Sequence, residues 1–101
     1  MSLPSRLGIH EEMTIYHAQD QKQQLISALE ATDSLELDLS QVSEIDASGL
    51  QLLILVKREA IRLGKAFAIV AHSPAVRQTI DFCNLAAFFG DPVVITAREQ
   101  A

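Results

Sequence analysis

Apolar and polar residues follow two rhythms along this chain. Residues 34–39, Ser-Leu-Glu-Leu-Asp-Leu, alternate strictly, with Leu35, Leu37 and Leu39 on one side and Glu36 and Asp38 on the other. That period of two, between turn-like Asp33-Ser34 and Ser40-Gln41, predicts a strand with one buried face. Residues 18–31 follow a helical rhythm instead. Leu25, Ala28 and Leu29 recur at helical spacing with Ile26 beside them, and Asp20 stands near the start, where a carboxylate suits the helix dipole. A longer helix is predicted over 48–63, with Asp46 placed to cap its start and Gly64 to end it. The continuous apolar run 66–71 has the length of a strand and suits one covered on both faces. Ser73-Pro74 opens another helix, Ser73 as N-cap and Pro74 at the first helical position, and Val76, Ile80 and Cys83 or Asn84 continue at helical spacing. An apolar segment at 85–89 ends at Gly90, and 93–95 reads as a last short strand after Asp91-Pro92. At the other end, Ile9, Met13 and Ile15 alternate with polar neighbours, which predicts two short strands within 7–17 and a turn near Glu11-Glu12. The tail 97–101 is polar.

The predicted order is strand, strand, helix, strand, helix, strand, helix, strand. Helices alternating with strands give an α/β sheet with helices packed on it. The chain reads as one domain over 1–101, its core at about 7–96, with no internal repeat and no low-complexity linker.

Composition removes several classes of function. The net charge is -5 and the eight Lys and Arg are scattered. A nucleic-acid binder shows a basic stripe or patch, so none is expected as a partner. The apolar runs 52–56 and 66–71 are far shorter than the roughly 20 residues that cross a bilayer, so no direct membrane insertion is expected. No basic start leads into an apolar run, so no signal peptide is expected. The single cysteine, Cys83, excludes an internal disulfide and fits a reducing, cytoplasmic setting. No basic cluster adjoins it to activate the thiol, and its helical spacing reads as a small core residue.

Catalytic chemistry is hard to write on this chain. His10, His17 and His72 are not spaced with other ligands as a metal site requires. Glycines at 8, 49, 64 and 90 form neither a phosphate loop nor a dinucleotide fingerprint, and no Gly-x-Ser-x-Gly elbow is present. Phe67, Phe82, Phe88 and Phe89 sit in apolar contexts where core packing is the default. The expectation is a non-enzyme with no cofactor and no metal.

One stretch carries a signal: Ile45-Asp46-Ala47-Ser48-Gly49-Leu50-Gln51-Leu52-Leu53 joins a predicted strand to a predicted helix. Ligands and partners meet an α/β sheet at the carboxyl ends of its strands. A hydroxyl in the first helical turn lies beside unpaired N–H groups and the positive end of the dipole. A phosphate on Ser48 is therefore compatible with the fold, though Asp46 and Glu44 oppose it, and it adds roughly 1.5 to 2 negative charges to a small surface. Asp46 and Ser48 also suit plain helix capping.

Residues 35–53, the Leu-x-Leu-x-Leu strand followed by Asp-x-Ser-Gly-Leu, resemble the STAS domain family, named for sulfate transporters and anti-sigma-factor antagonists. The order of elements from about 7 to 96 agrees. The resemblance implies a single small STAS-type α/β domain, with a mixed central sheet of about four to five strands and three to four helices. Bacterial antagonists of this family bind a serine kinase that is also the anti-sigma factor, and are released when it phosphorylates a Ser or Thr in this loop. Carried over, Ser48 takes the phosphoacceptor position and Asp46 the acidic position before it. Gly49 lets a partner's backbone come close or the helix begin tightly. Many relatives have a second Ser or Thr where this chain has Ala47, so Ser48 is the one acceptor in the turn. Other STAS-like domains are constitutive: small cytoplasmic partners of a lipid-transport ABC ATPase, or chemotaxis-associated and stressosome-type scaffolds.

The helix after the turn adds to this. Gly49, Leu52, Leu53, Val56, Ala60 and Leu63 form the stripe expected to face the sheet. Gln51, Leu55, Arg58, Arg62 and Lys65 form a polar stripe in which Leu55 is the odd member, and Leu50, Ile54 and Ile61 flank it, broken by Lys57. The apolar arc is wider than one sheet contact needs. The expected partner-binding set is Asp46, Ala47, Ser48, Gly49, Leu50, Gln51, Ile54, Leu55 and Arg58. Oligomeric state has no signature in the pattern.

Overall fold

The computed structural model describes residues 5–85 and 87–89. The elements run β1 (Ser5–Gly8), α1 (Ala18–Glu30), β2 (Ser34–Leu39), α2 (Ala47–Leu63), β3 (Ala66–His72) and α3 (Pro74–Phe82). The strands form one sheet in the order β1-β2-β3, both pairings parallel. Parallel neighbours need a crossover, and α1 and α2 supply the two. Two crossovers of the same hand, stepping the same way along a sheet, put both helices on one face, and α1 packs against α2.

The core lies between that helix layer and β2. Leu35, Leu37 and Leu39 point into it from β2, Leu25 and Leu29 from α1, and Leu52, Leu53, Val56 and Ala60 from α2. Ile9, Met13 and Val42 join them from the loops, and Val76 and Ile80 from α3. The two helices after β2 are punctuated as their sequences require. Asp46 caps α2, and Gly64 closes it in the left-handed region at φ 70°. Ser73 caps α3, its hydroxyl accepting from the Val76 N–H, with Pro74 in the first turn.

Four expectations are corrected. The N-terminal hairpin is absent: β1 runs parallel to β2, and beyond it Met13 makes only a single parallel bridge to Ile45. The alternation there was deceptive. Ile9 and Met13 enter the core, but the chain turns at 14–17, where the His17 N–H donates to the Thr14 carbonyl, and Ile15 faces solvent. Second, β3 is not covered on both faces. Phe67 is buried while Ala66, Ala68, Val70 and His72 are exposed, because α2 and α3, the helices that pack on β3, cover one side of it. Third, Phe82 and Cys83 are exposed rather than core. Phe82 is two residues, or about 200°, from the buried Ile80, and the helix ends before Cys83 can follow the Val76 stripe. Fourth, Leu63, expected to face the sheet, is partly exposed in the last position of α2. The expected mixed sheet of four to five strands stands as three parallel strands among the described residues. The strand expected at 93–95 lies outside them, as does Gly90 at the end of the last apolar segment.

Candidate functional site

Where β2 ends, the chain crosses 40–46 and enters α2, and the Asp46 carboxylate organises that entry. Its Oδ1 accepts from the backbone N–H groups of Ser48 at 2.8 Å and Gly49 at 3.1 Å, two of the donors that a helix start leaves unpaired. Its Oδ2 accepts from the Ile15 N–H at 3.1 Å. One side chain thus ties the start of α2 to a turn thirty-one residues earlier. Partial desolvation works to raise the Asp46 pKa, but the N–H groups of Gly49, Ile15 and Ser48 together hold it below the ordinary carboxylate value.

The two segments are joined by backbone as well. The Met13 N–H donates to the Glu44 carbonyl at 2.9 Å, and the Asp46 N–H donates to the Met13 carbonyl at 3.1 Å. This contact explains Gly49. A Cβ there would stand 2.1 Å from the Met13 carbonyl oxygen and 2.8 Å from the Met13 Cβ. The backbone that glycine admits is the chain's own, and it lets the helix begin tightly against the 13–15 segment.

Ser48 is half-buried at the second position of α2. Asp46 does the capping, and among the described residues the Ser48 hydroxyl makes no hydrogen bond. From this point the expected partner-binding residues climb one side of the helix. Asp46, Ala47, Gln51, Leu55 and Arg58 are exposed, Leu50 and Ile54 are half-buried, and Gly49 is buried against Met13. Farther along, Arg62 pairs with Glu59 one turn earlier.

The pattern reading missed Ile15 and Tyr16, which stand 68% and 87% exposed beside Asp46. A signal for them was present: two adjacent apolar residues on an alternating segment cannot both face the core. The histidines are dispersed, with His10 just after β1, His17 at the start of α1 and His72 closing β3. Among the described residues no helix is long and apolar enough to cross a membrane.

Comparison with known proteins places this geometry. The fold is similar to that of a candidate anti-sigma factor antagonist from Thermotoga maritima known by crystal structure, at a TM-score of 0.71 and 23% identity over 79% of this chain and 70% of that one. That likeness is one of fold. Among curated proteins none matches the sequence. A family model described as Mlab, STAS domain, matches residues 3–94, from before β1 to beyond α3, and on that match the chain belongs to the STAS domain family.

Proposed function

We propose that this chain is a non-catalytic regulator of the anti-sigma-factor antagonist type. It docks on a serine kinase of the anti-sigma kind in the cytoplasm, where ATP supplies the phosphate, and is released when that kinase phosphorylates Ser48. The docking face comprises Asp46, Ala47, Ser48, Gly49, Leu50 and Gln51 at the start of α2, with Ile54, Leu55 and Arg58 along it. The observation that carries this reading is the state of Ser48: half-buried in the first turn of α2, beside a carboxylate that already does the capping.

The physical consequence of phosphorylation follows. The Ser48 and Gly49 N–H groups are committed to Asp46, so a phosphate on Ser48 finds those donors taken. It adds roughly 1.5 to 2 negative charges beside Asp46 and Glu44. A partner surface closed over Ser48, Leu50 and Ile54 must then desolvate a dianion, and it lets go. The test is incubation with the co-purifying kinase and ATP, followed by mass-spectrometric mapping. Phosphate on Ser48 is the expected result, and phosphate elsewhere or nowhere removes the switch.

A second reading is favoured by the Mlab description of the family model. In it the same face docks permanently, as the small partner of a lipid-transport ABC ATPase, and Ser48 is a contact that is never modified. Affinity purification separates the two: an ABC ATPase retained equally by wild type and Ser48→Asp supports the constitutive subunit.

A further inference from the structure

Ile15 and Tyr16 are large apolar side chains left in water, yet the turn that displays them is fastened at several points. The Ile15 N–H is held by Asp46 Oδ2 at 3.1 Å, the His17 N–H by the Thr14 carbonyl at 3.0 Å, and Met13 is bonded through both its N–H and its carbonyl to the 44–46 segment. The Gln21 side chain, buried in α1, donates to the Glu12 carbonyl at 3.0 Å. The backbone that carries the pair is therefore held in an outward-facing turn, which lowers the ordering cost of binding. Exposed apolar surface of this kind marks an interaction site.

Its surroundings state the chemistry of what it meets. Segments 11–17 and 44–48 carry Glu11, Glu12, Glu44 and Asp46 and contain no lysine or arginine. Glu11, Glu44 and Asp46 are exposed and Glu12 half-buried. A second copy presenting this same face brings the same four carboxylates and is repelled. We propose that Ile15 and Tyr16 form a knob that enters an apolar socket on the protein partner, and that lysine or arginine residues of the partner rim that socket opposite Glu11, Glu12 and Glu44. This rests on the docking face assigned above and extends it to the 13–17 turn. The rim cations do not rescue a phosphorylated Ser48, since solvated ion pairs at a rim are weak beside the desolvation of a dianion closed into the contact.

The experiment uses the full chain with p-benzoylphenylalanine at position 16, irradiated in its native cells, and then the captured protein, purified, in titrations with variants. Tyr16 is the only tyrosine, so fluorotyrosine labelling gives a single fluorine NMR resonance that reports the knob directly. The expected results are a cross-link into an apolar segment bearing lysine or arginine, and a Tyr16 resonance that shifts on binding. The Ile15→Ser, Tyr16→Ser double variant should bind about tenfold more weakly or worse with its melting temperature kept, and wild-type affinity should fall between about 50 and about 500 mM salt. Weakening by Arg58→Glu and Ser48→Asp, with the double variant binding like wild type, overturns the knob and leaves the docking face standing. Binding that none of these variants alters overturns both. Affinity indifferent to salt overturns the basic rim.

Discussion

Asp46 and Ser48 are two residues apart, and only the Asp46 side chain takes part in the cap. Asp46 holds three backbone N–H groups on two segments. Asp46→Ala should lower the melting temperature by roughly 4–8 °C, the effect of losing a cap in a domain of this size. Ser48→Ala should stay within about 2–3 °C of wild type. Thermal unfolding followed by circular dichroism reads both, and equal losses would mean that Ser48 is structural after all. The carboxylates also set the response to acid. Asp38 is held below the ordinary value by the hydrogen bond from the Ser40 hydroxyl, by the Ser40 N–H, and by Arg6 and His10 nearby, against partial desolvation. Asp46 is held down as described. A group whose folded pKa is depressed contributes stability that is present above its unfolded pKa and lost as pH falls through the folded one. The melting temperature should thus be flat from neutrality down to about pH 4 and fall below it. Asp46→Asn, which keeps a capping oxygen, should flatten part of that fall, and an unchanged profile would show that Asp46 does not contribute to it.

At the scale of elements, α2 is fixed at both ends and helps to fix its neighbours. Its start is pressed on Met13 through Gly49, and Gly49→Ala puts a Cβ into the Met13 carbonyl. The bridge between Met13 and Ile45 must then open, for a loss of roughly 1–3 kcal/mol. Urea unfolding measures the loss, and faster exchange of the Asp46 and Ile15 amides locates it. Past its other end, Lys65 reaches across to α1, its Nζ donating to the carbonyls of Leu29 at 2.9 Å and Glu30 at 3.2 Å. A cation at a helix C-terminus contributes about 0.3–1 kcal/mol. Lys65→Met should remove that much and loosen the last turn of α1 in hydrogen exchange, while the amides of α2 keep their protection.

These elements also show what a single sequence reveals. β2, α2 and the start of α3 were legible because their signals are local: three leucines at period two, an Asp and a Gly at the ends of an apolar helix, and Ser-Pro before another. The N-terminal segment was not, because Met13 is placed by Ile45 and Ile15 by Asp46, some thirty residues away. Alternation within 9–15 carries no trace of that pairing. The same split runs through the site: the Asp46–Gly49 turn was readable from its capping chemistry, whereas the adjacency of Ile15 and Tyr16 signalled only that one of them faces out, and not that both stand beside Asp46. Phe82 was misplaced for a related reason, since apolar neighbours in sequence do not tell which way a short helix turns.

At the scale of the molecule, the described residues form a three-stranded parallel sheet that carries α1 and α2 on one face. The β2–α2 connection lies at the carboxyl end of the central strand, where such sheets meet their partners. The turn that follows β1 leans on that connection through Met13 and Ile15, so one small surface gathers an apolar pair, four carboxylates and the Ser48 hydroxyl. Magnitudes decide how it behaves. Rim ion pairs contribute about 0–1 kcal/mol each, while enclosing an added dianion costs several kcal/mol, so on the proposed switch a phosphate on Ser48 outweighs the rim and releases the partner. The most direct measurement is calorimetric titration of the co-purifying partner with the unmodified chain and with the chain phosphorylated on Ser48. The account predicts that the phosphorylated form binds at least about tenfold more weakly, a difference of roughly 1.4 kcal/mol. Equal affinities would contradict it and leave a docking module that Ser48 does not switch.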